Sequence, residues 1–271
     1  MNRDDLVNRG LVLLGCGKMG SALLEGWLNS GLPATSVHVI EPHPSDWLRA
    51  SGVHLNQPLP SSPAMALLAV KPQMMGAALP ALQALGGGAT VFVSIAAGTS
   101  MASIETTLGA GTPVIRAMPN TPAAVGRGIT ALIGNARVSP DALALAEDLL
   151  GAVGQTVRLQ QEGQMDAVTA VSGSGPAYVF HLIEALAAAG TAQGLPEALA
   201  MQLARATIIG AAGLLEAEPD TSAAQLRINV TSPNGTTAAA LEVLMADDGL
   251  APLLDKAVAA ARRRSEELGK A

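Results

Sequence analysis

Leu11-Val12-Leu13-Leu14-Gly15-Cys16-Gly17-Lys18-Met19-Gly20 is a short apolar run that breaks into a Gly-x-Gly-x-x-Gly loop. A continuously apolar run of that length suits a strand buried on both faces. The glycines permit a tight turn and close backbone approach, and residues 21–28 read as a helix, so free N–H groups and the positive helix end would face a pyrophosphate. The next apolar run closes on Glu41, 21 residues beyond Gly20, about the spacing at which a carboxylate meets the ribose hydroxyls of a dinucleotide. Gly15, Cys16, Gly17, Lys18, Met19 and Gly20 are therefore expected to hold a dinucleotide. Glu41 either reads its ribose or simply ends a strand in solvent ahead of Pro42. A carboxylate there repels the 2′-phosphate of NADP, and no Lys or Arg follows until Arg49, which favours NAD. Cys16 is read as a small side chain in the turn.

Outward from this loop, apolar runs at 37–40, 65–70, 90–95, 114–118, 129–133 and 156–159 alternate with helical segments. Such alternation predicts an α/β fold: a Rossmann-type, mostly parallel sheet covered on both faces. After about residue 162 the pattern becomes helical. Val179, Leu182, Ile183, Leu186 and Gly190 recur at three- and four-residue spacing, with Pro176 suited to a first helical position and Ser174 or Gly175 to its cap. The expected organisation is a dinucleotide-binding domain over 1–161 and an all-helical domain over 162–271. The helical faces are rich in Ala and Gly and bury little area per residue, so this half is expected to share its core with a second copy as a homodimer.

Composition removes several function classes. Of 271 residues, 49 % are apolar and 14 % charged, which suits a packed globule rather than a disordered chain. The net charge of −6, without a basic stripe, and an aromatic content of 2 % argue against nucleic acid as a partner. The lone Cys16 makes no internal disulfide, and His38, His43 and His54 lack metal-ligand spacing, so no metal is expected and a cytoplasmic location is. Asp4 and Asp5 stand where a signal peptide needs positive charge. The uncharged stretch 72–104 is interrupted by Pro80, Gln73, Gln83 and Gly86 to Gly88, and reads as buried helix, turn and strand rather than a membrane span.

Further strings close the other strands. Ala69-Val70-Lys71-Pro72-Gln73, Ser94-Ile95-Ala96-Ala97-Gly98 and Arg116-Ala117-Met118-Pro119-Asn120-Thr121-Pro122 each lie where a strand ends, the position of ligands in open α/β sheets. The helical half adds Val171-Ser172-Gly173-Ser174-Gly175-Pro176-Ala177-Tyr178 and Asn229-Val230-Thr231-Ser232-Pro233-Asn234-Gly235-Thr236-Thr237. In this order the strings closely resemble the pyrroline-5-carboxylate reductase family, from about Val12 to beyond Leu244.

That resemblance implies reduction of 1-pyrroline-5-carboxylate to proline, the last step of proline synthesis, with NADPH (usual in the family) or NADH. It implies cofactor contacts from the Gly15 loop, Asn56, Ala69, Val70, Lys71, Pro72, Ala96, Ala97 and Gly98, and substrate contacts from Ser232 to Thr237. Val230, just before that loop, is grouped with it. It also implies dimers through interlaced C-terminal helices, in some cases rings of dimers. The family string usually reads Ser-Pro-Gly-Gly-Thr-Thr; here Asn234 replaces the first glycine, a residue that tolerates a left-handed backbone.

For a small cyclic imine bearing a carboxylate, Ser232, Gly235, Thr236 and Thr237 precede a helical run at 238–245, whose N–H groups can bind the anion without an Arg. The alternative is a well-capped helix and nothing more. Thr237 is the expected catalytic group, donating to the ring nitrogen while orientation of the nicotinamide does most of the work. Met118 and Asn120 are expected to face the cleft, either on substrate or in packing. Lys71 is read as packing along the cofactor, Arg116 as structurally paired, and His181 as a surface residue near Glu184. Two other readings remain. A hydroxyacid dehydrogenase would want a Lys in the helical half, which 172–178 does not supply. A dinucleotide sensor without turnover leaves the 232–237 loop unexplained.

Overall fold

The structure is a computed structural model and describes residues 1–269. It divides into two compact units, Met1–Ser174 together with the chain from Ala261 onward, and Gly175–Ala260.

The first unit is an eight-stranded sheet: β1 (Leu11–Leu14), β2 (Val37–Ile40), β3 (His54–Leu55), β4 (Met65–Leu68), β5 (Val91–Ser94), β6 (Val114–Met118), β7 (Gly128–Gly134) and β8 (Gly154–Arg158). The order is β3-β2-β1-β4-β5-β6-β7-β8, and all pairs are parallel except β6 with β7. The mostly parallel α/β sheet predicted from the alternating runs is therefore present, with one strand more than the apolar runs indicated. β3 has two residues between Gly52 and Asn56, both at positive φ, too short to show an apolar period. The antiparallel step follows from the linker. Residues 119–127 hold one 3₁₀ turn, Thr121–Val125, and the left-handed Gly126, whereas a parallel crossover needs a dozen residues or more.

Around the sheet lie α1 (Arg3–Arg9), α2 (Lys18–Asn29), α3 (Asp46–Ala50), α4 (Met75–Ala78), α5 (Met101–Leu108), α6 (Pro140–Gly151) and α7 (Met165–Val168). Successive strand residues point to opposite faces, and the core divides accordingly. Leu11, Leu13, Met65, Leu67, Val91 and Val93 join Leu23, Trp27, Leu145 and Leu149 on one face. Val12, Leu14, Ala66, Leu68 and Phe92 join Leu79, Leu82, Ile104 and Leu108 on the other. The buried Trp27 indole donates to the Leu149 carbonyl at 2.8 Å, so its polar edge is satisfied inside the apolar face. The uncharged stretch 72–104 is short helix, 3₁₀ turn, β5 and the start of α5; its helical part is not buried throughout as expected but only along Met75, Leu79, Leu82 and Leu85.

From α7 the chain coils through a π-helical segment, Thr169–Gly173, into α8 (Gly175–Ala192). Pro176 is thus the second residue of α8 rather than the first. The second unit continues with α9 (Glu197–Ala217), α10 (Ala223–Asn229), α11 (Thr236–Leu244) and α12 (Leu250–Leu268), whose last turns belong to the first unit. Its core is thin: of its apolar side chains only Ala187, Ala200 and Ala204 are buried, while Phe180, Leu182, Ile209, Leu214, Val243 and Leu253 are exposed. Gly190 lets α8 approach Ala200 of α9, where an added Cβ would stand 3.3 Å from the alanine methyl. By length and composition α9 is long and apolar enough to cross a membrane, and little of it is buried within the chain. His181 and Glu184 pair at 3.2 Å on the exposed side of α8.

Candidate active site

The parallel register sets the site of the first unit. Leu14 lies beside Ile40 and Leu68, and Leu68 beside Ser94, so four strands end at one level. The loops that leave them are stitched together by the backbone: Gly15 N donates to Ile40 O at 2.9 Å, Ala69 N to Leu14 O at 2.8 Å, and Ile95 N to Leu68 O at 3.1 Å.

Each glycine of the first loop has a separate cause. Gly15 has φ +88, and a Cβ there would stand 2.8 Å from Val70 Cγ1 and 3.0 Å from the Ala69 carbonyl. At Gly20 it would be 2.6 Å from Gly15 O. At Gly17 it would meet nothing within 4 Å. The first and third glycines are thus required by packing, while the second leaves open space above the start of α2. Gly17 caps that helix without any side-chain hydrogen bond, and no acidic residue occupies its first turn. The helix begins at Lys18, three residues earlier than the sequence indicated, which brings Lys18 and Met19 into the turn that faces this space. A pyrophosphate fits such a cradle: backbone donors, positive helix end and no Cβ in the way.

Glu41 does not stand free in solvent. Its Oε2 accepts the Cys16 N–H at 2.8 Å and its Oε1 the His43 N–H at 2.9 Å. Asn56, at φ +52, takes part in a reciprocal pair: Glu41 N donates to Asn56 Oδ1 and Asn56 Nδ2 to Glu41 O, each at 2.9 Å. The end of β2, the glycine loop and the residue after β3 are thereby one hydrogen-bonded assembly. Burial, and then the Glu41 charge, push the Cys16 thiol up to about 11.

Lys71 and Pro72 are exposed beyond β4, with Val70 partly covered. Beyond β5, Ala96 and Gly98 are buried and Ala97 is half-buried. Gly98, at φ +74, lies against the end of α12, where an added Cβ would be 3.2 Å from Leu268 Cβ. Met118 is packed on the π segment, its methyl 2.6 Å from where a Cβ on Gly173 would be. Asn120 accepts the Ile129 N–H at 3.0 Å and donates to Ser172 Oγ at 3.3 Å, so in this structure its amide serves the fold. Arg116 has the expected partner: its buried guanidinium meets Glu162 at 3.1 Å.

In the second unit, Ser232, Gly235, Thr236 and Thr237 form the turn into α11. Asn234 adopts φ +55, the left-handed conformation that the family's glycine would supply. Gly235 donates to Ser232 O at 3.0 Å and caps α11, which starts at Thr236, two residues before the expected 238, with no side-chain cap. The turn is not a Ser- or Thr-capped helix; its first N–H groups are left for another acceptor. Thr237 is half-buried and Val230 exposed. Among the described residues no cluster of His, Cys, Asp and Glu has the arrangement of a metal site.

Comparison with known proteins places these features in context. Residues 162–268 match the family described as pyrroline-5-carboxylate reductase dimerisation, and residues 11–98 the family described as NADP oxidoreductase, coenzyme F420-dependent. A pyrroline-5-carboxylate reductase from Pseudomonas aeruginosa is 40 % identical over 269 residues, spanning 96 % of this chain and 97 % of the relative. The solved structure of a pyrroline-5-carboxylate reductase from Coxiella burnetii superposes with a TM-score of 0.90 at 34 % identity, covering 97 % of this chain and 99 % of that one. A Plasmodium falciparum pyrroline carboxylate reductase with NADP bound superposes with a TM-score of 0.82 at 29 % identity, covering 97 % and 98 %.

A thiol held near 11 is almost wholly protonated at neutral pH. Alkylation of Cys16 by iodoacetamide at pH 8 is expected to run at least about tenfold slower than that of a free cysteine. Glu41→Gln should speed it, since the neighbouring charge is removed; equal rates for protein and free thiol would show that the loop does not shield it.

Proposed function

This chain belongs to the pyrroline-5-carboxylate reductase family and reduces 1-pyrroline-5-carboxylate to proline by hydride transfer from NAD(P)H, and from that premise we propose how its own residues carry the reaction. The observation that carries the proposal is the cradle at Gly17, open above an uncapped helix start and walled by the strand ends of β1, β2, β4 and β5. Gly15 to Gly20 hold the pyrophosphate there. Glu41 and Asn56 border the adenosine side, and Val70, Lys71, Pro72 and Ala96 to Gly98 border the nicotinamide side. The cofactor, when bound, supplies the hydride.

The substrate carboxylate is bound by the free N–H groups that open α11, helped by the positive end of the helix. Thr237 donates its hydroxyl proton to the ring nitrogen as a hydrogen bond, fixing the face on which the imine carbon is attacked. Met118 and Asn120, at and just beyond the end of β6, are read as further substrate contacts. No strong acid is needed: as hydride adds to the carbon of the neutral imine, the ring nitrogen held by Thr237 takes its proton from water, and the residues contribute mainly orientation. The division of labour runs at about residue 162, with the nucleotide held by 1–161 and substrate and dimer contacts made by 162–271.

On the cofactor, we read Glu41 as disfavouring a 2′-phosphate. Its carboxylate is fixed by two backbone N–H groups at the end of β2, where a second anion would be repelled, so NADH is the better partner. The dimer forms through the C-terminal helices: side chains such as Phe180, Ile209 and Leu253 are exposed in the single chain, an amount of apolar surface that monomeric soluble proteins rarely leave uncovered. Covering by a second copy also accounts for the membrane-like composition of α9 in a cytoplasmic enzyme. Dimers associating into rings fit the same family resemblance.

Mixing the protein with pyrroline-5-carboxylate and either reduced nicotinamide should consume the nicotinamide absorbance. Thr237→Ala should lower kcat/KM by about tenfold to a hundredfold with the fold intact, and unchanged kinetics would remove Thr237 from the mechanism. Glu41→Ser should shift the ratio of kcat/KM values toward NADPH; a ratio that stays put would mean that the carboxylate does not face the ribose. Light scattering should give a dimer or a multiple of it, and Ile209→Glu should lower the mass toward that of one chain. Retention of the full assembly by that variant would place the interface elsewhere.

A further inference from the structure

A part-buried polar chain runs beside the loop that follows β5. Arg116, with its side chain 6 % exposed, ion-pairs with Glu162 at 3.1 Å and has Asp166 at 4.0 Å. Its Nε finds no acceptor among the described residues. Glu162 Oε1 also accepts the N–H of Met101 at 2.9 Å, and Met101 is the first residue of α5, three positions beyond Gly98. Asp166 Oδ1 accepts the hydroxyl of Ser265, a buried residue near the end of α12, at 2.6 Å. The last turn of α12 then touches the loop directly. A Cβ on Gly269 would stand 2.8 Å from Gly98 O, and one on Gly98 3.3 Å from Gly269 N. Two glycines thus meet backbone to backbone. A cavity of about 440 Å³ opens beside this contact, bordered by Pro72, Gly98, Thr99, Ser100, Leu268 and Gly269.

We propose that Glu162 and the last turn of α12 are positioning elements for the nicotinamide dinucleotide, with Glu162 anchoring the start of α5 and Gly269 backing Gly98. The proposal rests on the reading that Ala96 to Gly98 contact the cofactor. The physical case is that the buried Arg116 is expensive unless paired, and its part-exposed partners Glu162 and Asp166 stand where the loop needs fixed ends. Its N-terminal end is held by Ile95 N to Leu68 O. Its C-terminal end is held by Glu162. The middle has only a long bond to the sheet, Ala96 N to Ser94 Oγ at 3.4 Å, and leans on Gly269. Loss of either support lets the loop drift, and displacements of about 1 Å remote from the reacting atoms can cost about a hundredfold.

The test compares whole-chain variants by titrating NADH and NADPH in binding experiments and by steady-state kinetics. Glu162→Ala and Gly269→Ala should each raise the cofactor Kd by about tenfold, with KM for pyrroline-5-carboxylate within about twofold and Glu162→Gln intermediate. Arg158→Ala, which removes the Arg158–Glu147 pair on β8 and α6, is the control for a merely structural loss and should leave the cofactor Kd unchanged. Should Glu162→Ala fail to fold, Gly269→Ala and Ser265→Ala carry the test. The proposal is overturned if these variants bind cofactor as the wild type does, or if affinity for both ligands falls alike in step with Tm. Ala97→Glu separates the underlying reading, because a carboxylate placed in the loop should repel the dinucleotide. If Ala97→Glu weakens binding while the other variants do not, only the positioning role fails; if Ala97→Glu binds normally, the loop reading fails and takes the proposal with it.

Discussion

The level ending of four parallel strands is the constraint on which the site depends. Register holds Leu14 beside Ile40 and Leu68, and Leu68 beside Ser94, so the residues that follow emerge along one line. Only then does the Cα of Gly15 lie against the Ala69 carbonyl and the Val70 side chain. A shift of one residue in any of these strands would turn its apolar set to the wrong face and carry its loop out of line. The buried faces therefore fix the position of loops that contribute little burial themselves. The strongest energetic term, apolar area removed from water, thus acts on the site at a distance, through register.

The two units solve the burial problem differently. In the first, a sheet covered on both faces supplies Leu, Val, Phe and Trp to two core layers, and polar demands are met locally, as when the Trp27 indole finds the Leu149 carbonyl. In the second, buried positions fall to alanine and the larger side chains face outward. Small residues allow close helix approach, as at Gly190 and Ala200, but remove little surface from water per residue. Such a layer is stable when something else covers it; residues 162–268, which carry the exposed faces of α8 and α9, match the family described as pyrroline-5-carboxylate reductase dimerisation.

Polar groups in the first unit are used with similar economy. Glu41 satisfies two loop amides at once, and its charge adds to burial in raising the resistance of Cys16 to ionisation. Glu162 serves Arg116 and Met101 with the same oxygen. Where a carboxylate bridges two elements in this way, its removal takes an acceptor from a part-buried amide, Cys16 N–H in one case and Met101 N–H in the other, a larger loss than that of an exposed ion pair.

The sequence by itself determined what depends on local periodicity and on backbone freedom. Continuous apolar runs marked seven of the strands, and the spacing of Gly15, Gly17 and Gly20 marked the turn into α2, because only glycine fits φ +88 at Gly15 or the 2.6 Å approach at Gly20. Asn234 was legible in the same way, as the non-glycine residue best able to take φ +55. Tertiary structure alone decided the rest. β3 is too short to carry a period, and the antiparallel turn of β7 is set by the length of a linker rather than by the composition of the strand. Whether Glu41 faces solvent or the Cys16 amide, and that Arg116 pairs with an acid 46 positions away, depend on which strand ends and helix ends the fold brings side by side. Those contacts join residues far apart in the chain, and no local pattern encodes a partner that only the assembled sheet supplies.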